Sequence, residues 1–305
     1  MTFAIISHPD CLLHDPGPWH PERPSRITAI QDQLIASGLN DLCQHYDAPL
    51  ATVEQLARVH DQHYIDTLLN IDAKQTAVSI DSDTIYMQHT RAAALRAAGA
   101  AILAVDLVME EKEKIIFCNV RPPGHHARRA EAMGFCFFNN IAVGAAQALQ
   151  QHHVERIAIL DFDIHHGNGT EEIFQHEPRV LFCSTYQRGI FSSSLAHAST
   201  TQQHNIALSN TPTGIELRQA YSDIIIPALH QFAPQLIMVS AGFDGHVEDD
   251  LSDGRFTEDD YAAISAEIRT IAETTAHGRI ISILEGGYAL SALGRSVVAY
   301  LKGLL

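Results

Sequence analysis

The sequence predicts an α/β fold, a mainly parallel central sheet between two helical layers, in a single domain over residues 1–305. Three observations predict it. Short apolar, β-branched runs recur along the chain, helical patterns separate them, and the runs are apolar throughout rather than alternating, as strands covered on both faces must be. The first run, 3–6, opens the chain, and a helical pattern at 26–37 follows. An alanine-rich helical pattern at 89–108 leads into the run 115–118, and a helix at 140–150 leads into 157–160. Runs at 180–183 and 205–208 come next, then helix 217–231 with run 236–239, helix 259–276 with run 280–284, and a closing helix at 290–301. Gly, Pro or polar residues bound each run, and no repeat, linker or low-complexity segment interrupts the series.

Composition narrows the function classes. With 305 residues, 46% hydrophobic and 18% charged, the chain buries a large core. A formal charge of -16 opposes unaided binding to nucleic acid or an anionic membrane and favours cationic substrates. The cysteines, Cys11, Cys43, Cys118, Cys136 and Cys183, lack a paired spacing and read as reduced thiols. No apolar stretch is expected to reach membrane-spanning length. The opening Met1-Thr2-Phe3-Ala4-Ile5-Ile6 lacks a basic region followed by an apolar segment and a cleavage site, so a cytoplasmic location is expected. Nothing in the sequence speaks to oligomeric state.

In a parallel sheet, ligands bind beyond the carboxyl ends of the strands, and the polar punctuation sits there. Run 115–118 is followed by Arg121-Pro122-Pro123-Gly124-His125-His126, run 157–160 by Asp161-Phe162-Asp163-Ile164-His165-His166-Gly167-Asn168-Gly169-Thr170, run 236–239 by Ser240-Ala241-Gly242-Phe243-Asp244, and run 280–284 by Glu285-Gly286-Gly287-Tyr288. In an extended backbone Asp161, Asp163 and His165 fall on one side, about 6.6 Å apart per pair of residues, and can converge on one point. Carboxylate oxygen and imidazole nitrogen are ordinary zinc ligands. Carboxylates beside apolar Ile and Leu call for a cation to compensate them.

Together with Gly134-Phe135-Cys136-Phe137-Phe138-Asn139-Asn140 and His20-Pro21-Glu22-Arg23-Pro24, these motifs resemble the histone deacetylase family, most closely its class II and bacterial amidohydrolase-like branches. The resemblance spans nearly the whole chain. It implies an arginase-deacetylase fold, one zinc ion per chain, and hydrolysis of an acetyl or acyl amide on acetyl-lysine or a related amine. By the same resemblance Asp163, His165 and Asp244 are the metal ligands, His126 is general base and then general acid, and His125 gives electrostatic support. Asp161 and Asn168 would orient His125 and His126, with a structural potassium ion near Asp161. Tyr288 would donate to the developing oxyanion, and Phe135, Phe191, Leu251, Gly286 and Gly287 would line the substrate tunnel. Gly167 stands where a two-metal site would want a carboxylate. Either Asp81 or Asp83 is the rim carboxylate. The loop 247–260 carries seven carboxylates, as an acidic rim or as a solvated loop entering a helix N-terminus. Two alternatives accompany this reading: an acetylpolyamine amidohydrolase, against which Leu251 stands where polyamine-specific relatives carry glutamate, and a non-hydrolytic acetyl-ligand binding module.

Overall fold

The computed structural model describes residues 3–73 and 76–305; Met1 and Thr2, part of the stretch read as leaderless, lie outside the described residues. The strands are β1 (Phe3–Ser7), β2 (Cys43–Asp47), β3 (Val78–Ser79), β4 (Ile85–Tyr86), β5 (Ile115–Cys118), β6 (Ile157–Asp161), β7 (Val180–Gln187), β8 (Gln203–Leu208), β9 (Leu236–Ala241) and β10 (Ile280–Leu284). The helices are α1 (Asp10–Leu13), α2 (Ser25–Ala36), α3 (Val53–Leu56), α4 (Gln62–Leu69), α5 (Thr90–Met109), α6 (Asn140–Gln151), α7 (Asn168–Phe174), α8 (Gly214–Ala220), α9 (Ile226–Phe232), α10 (Glu258–Thr275) and α11 (Leu290–Leu304).

Eight strands form one all-parallel sheet in the order β2-β1-β5-β10-β9-β6-β7-β8, and β3 and β4 form a small antiparallel hairpin apart from it. Because successive side chains on a strand point to opposite faces, each apolar run feeds two cores. Ile116 and Cys118 of β5, with Leu236 and Met238 of β9, pack under α5 and α6. Their neighbours Ile115, Phe117, Ile237 and Val239 pack under α2, α10 and α11. This is the expected three-layer α/β arrangement.

Four departures from the sequence reading have physical reasons. β2 carries no apolar run because it is an edge strand, with Gln44, His45 and Asp47 exposed, and polar side chains on an edge discourage pairing with other chains. The helix read at 217–231 starts earlier, at a Thr213–Glu216 capping box, and is broken by a π turn at Tyr221–Ile225. Pro227 enters α9 just beyond that turn and has no N–H to continue the regular ladder. The expectation of no membrane-length apolar stretch is corrected by α5, whose 20 residues meet that criterion by length and composition. Two thirds of its apolar window (67%) is buried inside the domain, and its alanines allow close packing against α6 and the sheet, as a core helix requires. Finally, β6 ends at Asp161, and residues 163–165 form a bend rather than extended strand. Asp161 therefore does not converge with Asp163 and His165.

The strands whose ends carry the four polar motifs, β5, β10, β9 and β6, are contiguous in the middle of the sheet. At about 4.8 Å per strand, their carboxyl ends deliver all four loops into a patch roughly 15 Å wide.

Candidate active site

Asp163, His165 and Asp244 each bring one ligand atom into a group whose atoms all lie within 4.8 Å of one another. His165 Nδ1 lies 3.1 Å from Asp163 Oδ1 and 3.0 Å from Asp244 Oδ2. The backbone fixes both carboxylates. Asp163 Oδ1 accepts from the N–H of His165 at 2.9 Å, Asp163 Oδ2 from Gly286 at 2.8 Å, and Asp244 Oδ1 from Ile164 at 3.1 Å. Asp163 is 1% exposed and Asp244 0%. Burial and the negative charge of Asp163 push the Asp244 carboxyl up to about 7. A positive charge between the two carboxylates would keep Asp244 ionised at neutral pH, while Asp163, despite its burial, is already held ionised by the neighbouring histidines. A buried set of two carboxylates and one imidazole is a donor set that fits a divalent cation such as zinc.

A Cβ added to Gly286 would overlap the Asp244 and Asp163 carboxylates, so the segment leaving β10 needs glycine there to pass this close. Gly286→Ala is expected to displace both carboxylates and lower turnover by about 10²-fold, the usual effect of a displacement near 1 Å. Parallel assays of activity and metal content check it, and wild-type values in both would refute the close approach.

Two imidazoles stand beside the triad with ring centroids 3.9 Å apart. His125 Nδ1 meets Asp161 Oδ2 at 2.9 Å. Burial disfavours the charged ring, but Asp161, Asp163 and Glu285 outweigh it and raise His125 to about 10. His126 is the opposite case, driven well below its ordinary value by burial and by the charge on His125. Its Nδ1 lies 2.8 Å from Asn168 Oδ1, while Asn168 Nδ2 donates to Met133 Sδ at 3.4 Å. The sulfur is only an acceptor, which fixes the amide orientation, so Nδ1 of His126 carries the proton and Nε2 keeps a free lone pair. Glu285 supports the loop from below: Oε2 accepts from the N–H groups of Gly124 and His125 at 2.7 and 3.2 Å, and Oε1 from Ser240 Oγ at 3.0 Å.

Arg121, at the head of the same loop, is anchored by Glu22. Both residues are wholly buried, and Arg121 Nη2 donates to Glu22 Oε2 at 2.6 Å while Arg26 Nη1 donates to Oε1 at 3.2 Å. Burial pushes the Glu22 carboxyl up, yet Arg121 and His14 outweigh it and hold Glu22 well below 4.5. Glu22→Gln leaves two guanidinium groups uncompensated and is expected to destabilise the fold by about 3–5 kcal/mol. With the folded pKa depressed, this stabilisation is complete above the unfolded value near 4.5 and is lost as pH falls below it. Urea midpoints from pH 7 downward check both statements: the gap between the two proteins should be widest at pH 7, only begin to shrink near pH 4, and close as pH approaches the depressed folded value, and equal midpoints at pH 7 would contradict the role.

A cavity of about 220 Å³ opens above the triad, with His125, His126, Asp163, His165, Gly286 and Tyr288 at its inner end and Asp83, Phe135, Phe191 and Leu251 among its walls. Phe191 stands edge-on to His126 at 5.0 Å, and Phe135 lies 5.9 Å from the Tyr288 ring and 4.7 Å from His20. Phe135 adopts φ +68°, which costs a bulky residue about 1–3 kcal/mol. Paired hydrogen bonds between Met133 and Cys136 hold that turn, and the Phe135 N–H donates to Thr84 Oγ1 at 3.2 Å. Burial keeps the Tyr288 phenol well above its ordinary value, so it is a neutral O–H donor.

The family model described as "Histone deacetylase domain" matches residues 20–304. The chain belongs to the histone deacetylase family. It is 35% identical over 321 residues to the "Histone deacetylase-like amidohydrolase" of Pseudomonas aeruginosa, covering 96% of this chain and 84% of that one. It is 32% identical to the human "Polyamine deacetylase HDAC10", covering all of this chain (100%) and 48% of that protein. Among solved structures, "Crystal Structure of HDA15 HD domain" superposes with a TM-score of 0.92 at 30% identity, covering 99% of this chain and 88% of that chain. As a histone deacetylase family member the chain has the predicted α/β fold and the family's acyl-amine deacetylase chemistry.

Within this histone deacetylase frame, the triad residues meet, Asp161 stands behind His125, and Asn168 stands behind His126. Gly287 lies outside the cavity lining and turns behind Tyr288 at φ +120°, its carbonyl taking the Arg26 Nε–H at 2.6 Å. Asp83, not Asp81, lines the cavity; Asp81 Oδ1 instead accepts from the N–H groups of Asp83 and Thr84 at 3.0 and 2.6 Å. The seven carboxylates of loop 247–260 mostly serve the fold. Glu248 and Glu258 pair with Arg295, Asp260 pairs with Arg218, Asp253 accepts from Gln187, and Asp249 turns inward. Sequence reasoning missed Arg26, whose guanidinium carbon lies 4.9 Å over the Tyr288 ring. It reads as one more polar position in an amphipathic helix, and only its invisible partners distinguish it.

Proposed function

We propose that this chain is a zinc-dependent amidohydrolase that removes acetyl or short acyl groups from acetyl-lysine side chains or related amines. The observation that carries the reading is the buried Asp163–His165–Asp244 group at the foot of a narrow cavity flanked by two imidazoles in opposite charge states. Held by those three residues, a zinc ion would supply Lewis acidity, polarising the amide carbonyl and acidifying a water. The chain's residues do the rest. His126, with Nε2 unprotonated, takes the proton from the attacking water and returns it to the departing amine. His125, kept charged by Asp161, stabilises negative charge as it develops. Tyr288 donates its O–H to the carbonyl oxygen, and the Phe135 and Phe191 rings exclude water around the substrate's methylenes. A structural potassium ion near Asp161 would draw on backbone oxygens such as the Asp161 carbonyl, which accepts from Thr185 Oγ1 at 3.4 Å. The acidic composition accords with a cytoplasmic enzyme acting on cationic amines rather than on nucleic acid or membrane.

Asp83 at the cavity wall suits either a peptide N–H or a second ammonium, so acetylpolyamines are the competing substrates. Leu251 at the mouth favours acetyl-lysine. A panel of acetyl-lysine peptide, acetylputrescine, acetylspermidine and longer acyl-lysines, with metal analysis of the same sample, should show the peptide turned over fastest. Preference for acetylspermidine would reverse the assignment, and inertness towards every amide by zinc-loaded protein would remove it.

A further inference from the structure

The catalytic tyrosine of this site hangs on a segment with little stiffness of its own. Gly286 and Gly287 precede it, neither carries a Cβ, and such residues restrain the backbone least. The hydroxyl sits at the end of a long side chain, so a small backbone rotation moves it by about 1 Å, enough to lower a rate roughly 10²-fold. Something outside the segment must hold it.

Arg26 grips the carbonyl side, donating to the Glu285 and Gly287 oxygens. Asp249 grips the other side. It is 5% exposed, its Oδ2 accepts from the backbone N–H of Tyr288 at 2.6 Å and of Ala289 at 3.0 Å, and its Oδ1 accepts from the N–H of Leu251 at 3.1 Å. Ala289 precedes α11 and offers no side-chain cap, so Asp249 supplies that helix start with both an acceptor and a negative charge. One carboxylate thus joins three points: the tyrosine's backbone, the residue that leads into α11 and the residue at the cavity mouth.

We propose that Asp249 is a positioning residue for Tyr288, fixing the backbone from which the phenol reaches the reacting carbonyl and coupling it to Leu251 at the entrance. The proposal rests on the amidohydrolase reading of the site. Asp249 touches neither substrate nor metal ligand in this role; it acts through Tyr288.

Wild type, Asp249→Ala, Asp249→Asn, Tyr288→Phe and the Asp249→Ala/Tyr288→Phe double variant are compared in kcat and KM on an acetyl-lysine peptide and on acetylputrescine, with zinc content and thermal unfolding of each. Asp249→Ala should lower kcat by about 10²-fold with little change in KM or zinc content. Asp249→Asn keeps one acceptor oxygen and should recover part of that loss. In the Tyr288→Phe background the same alanine substitution should change kcat by less than about threefold, because residues acting as a unit are not additive. Full multiplication of the two losses overturns the positioning role while leaving the amidohydrolase reading intact. A wild-type rate in Tyr288→Phe removes the tyrosine's role and the positioning role with it. A readout independent of turnover is the ¹⁹F spectrum of 3-fluorotyrosine incorporated in place of Tyr288. Asp249→Ala should shift or split the single resonance, and an unchanged spectrum overturns the proposal whether or not either amide is hydrolysed.

Discussion

Asp244→Ala is expected to reduce amide hydrolysis to background and to lower bound zinc from about one ion per chain to near none. The reason is the small size of the donor set. Asp163, His165 and Asp244 form the group of possible metal ligands found among the described residues, and deleting one oxygen donor leaves two ligands that water must complete. The substitution also strips the Ile164 N–H of its acceptor, the 3.1 Å bond that holds the bend between Asp163 and His165. Asp244→Asn separates these effects, because the amide oxygen can still receive Ile164 while the charge is gone. It should keep the bend and still lose the metal. Metal analysis after dialysis against a weak chelator is the measurement. Full zinc occupancy in both variants would show that Asp244 is not a ligand.

Tyr288→Phe should lower kcat by about 10²–10³-fold, equivalent to roughly 2.7–4 kcal/mol of barrier, with KM within a few-fold of wild type. Only the hydroxyl is removed. The ring remains against Phe135 and under Arg26, so the cavity keeps its wall and the substrate its grip. A loss confined to KM would mean that the phenol binds the ground state and does not serve the transition state. Single-turnover kinetics distinguish the two.

The central features were legible in the sequence for a simple reason. A strand buried on both faces must be an uninterrupted apolar run, so β5, β6, β9 and β10 announced themselves, and the polar residues that follow them had to lie at one edge of the sheet. The edge strand β2, polar and half in solvent, gave no such signal. The bend at 163–165 was hidden because periodicity cannot tell where a strand stops when ligands continue its alternation; the extended reading gathered Asp161 with Asp163 and His165, whereas the bend hands Asp161 to His125. The acidic loop misled in another way. Charge alone does not say whether a carboxylate faces water, and Asp249 and Asp260 are buried acceptors for backbone N–H groups. Arg26 and Glu22 lie more than 90 residues in sequence from Arg121, or more than 250 from Gly287, separations at which only the folded chain reveals a partner.

Phe135 has one more consequence. Its backbone is held in the left-handed region by the Met133–Cys136 bridge and by Thr84, and its ring is flanked by His20 and Tyr288. A fixed wall measures girth rather than length. In the proposed enzyme, straight aliphatic stems of any extent would thread past it, whereas branching or N-alkylation near the scissile bond would widen the stem beyond the gauge, so discrimination among amines would begin with thickness before any charge is read.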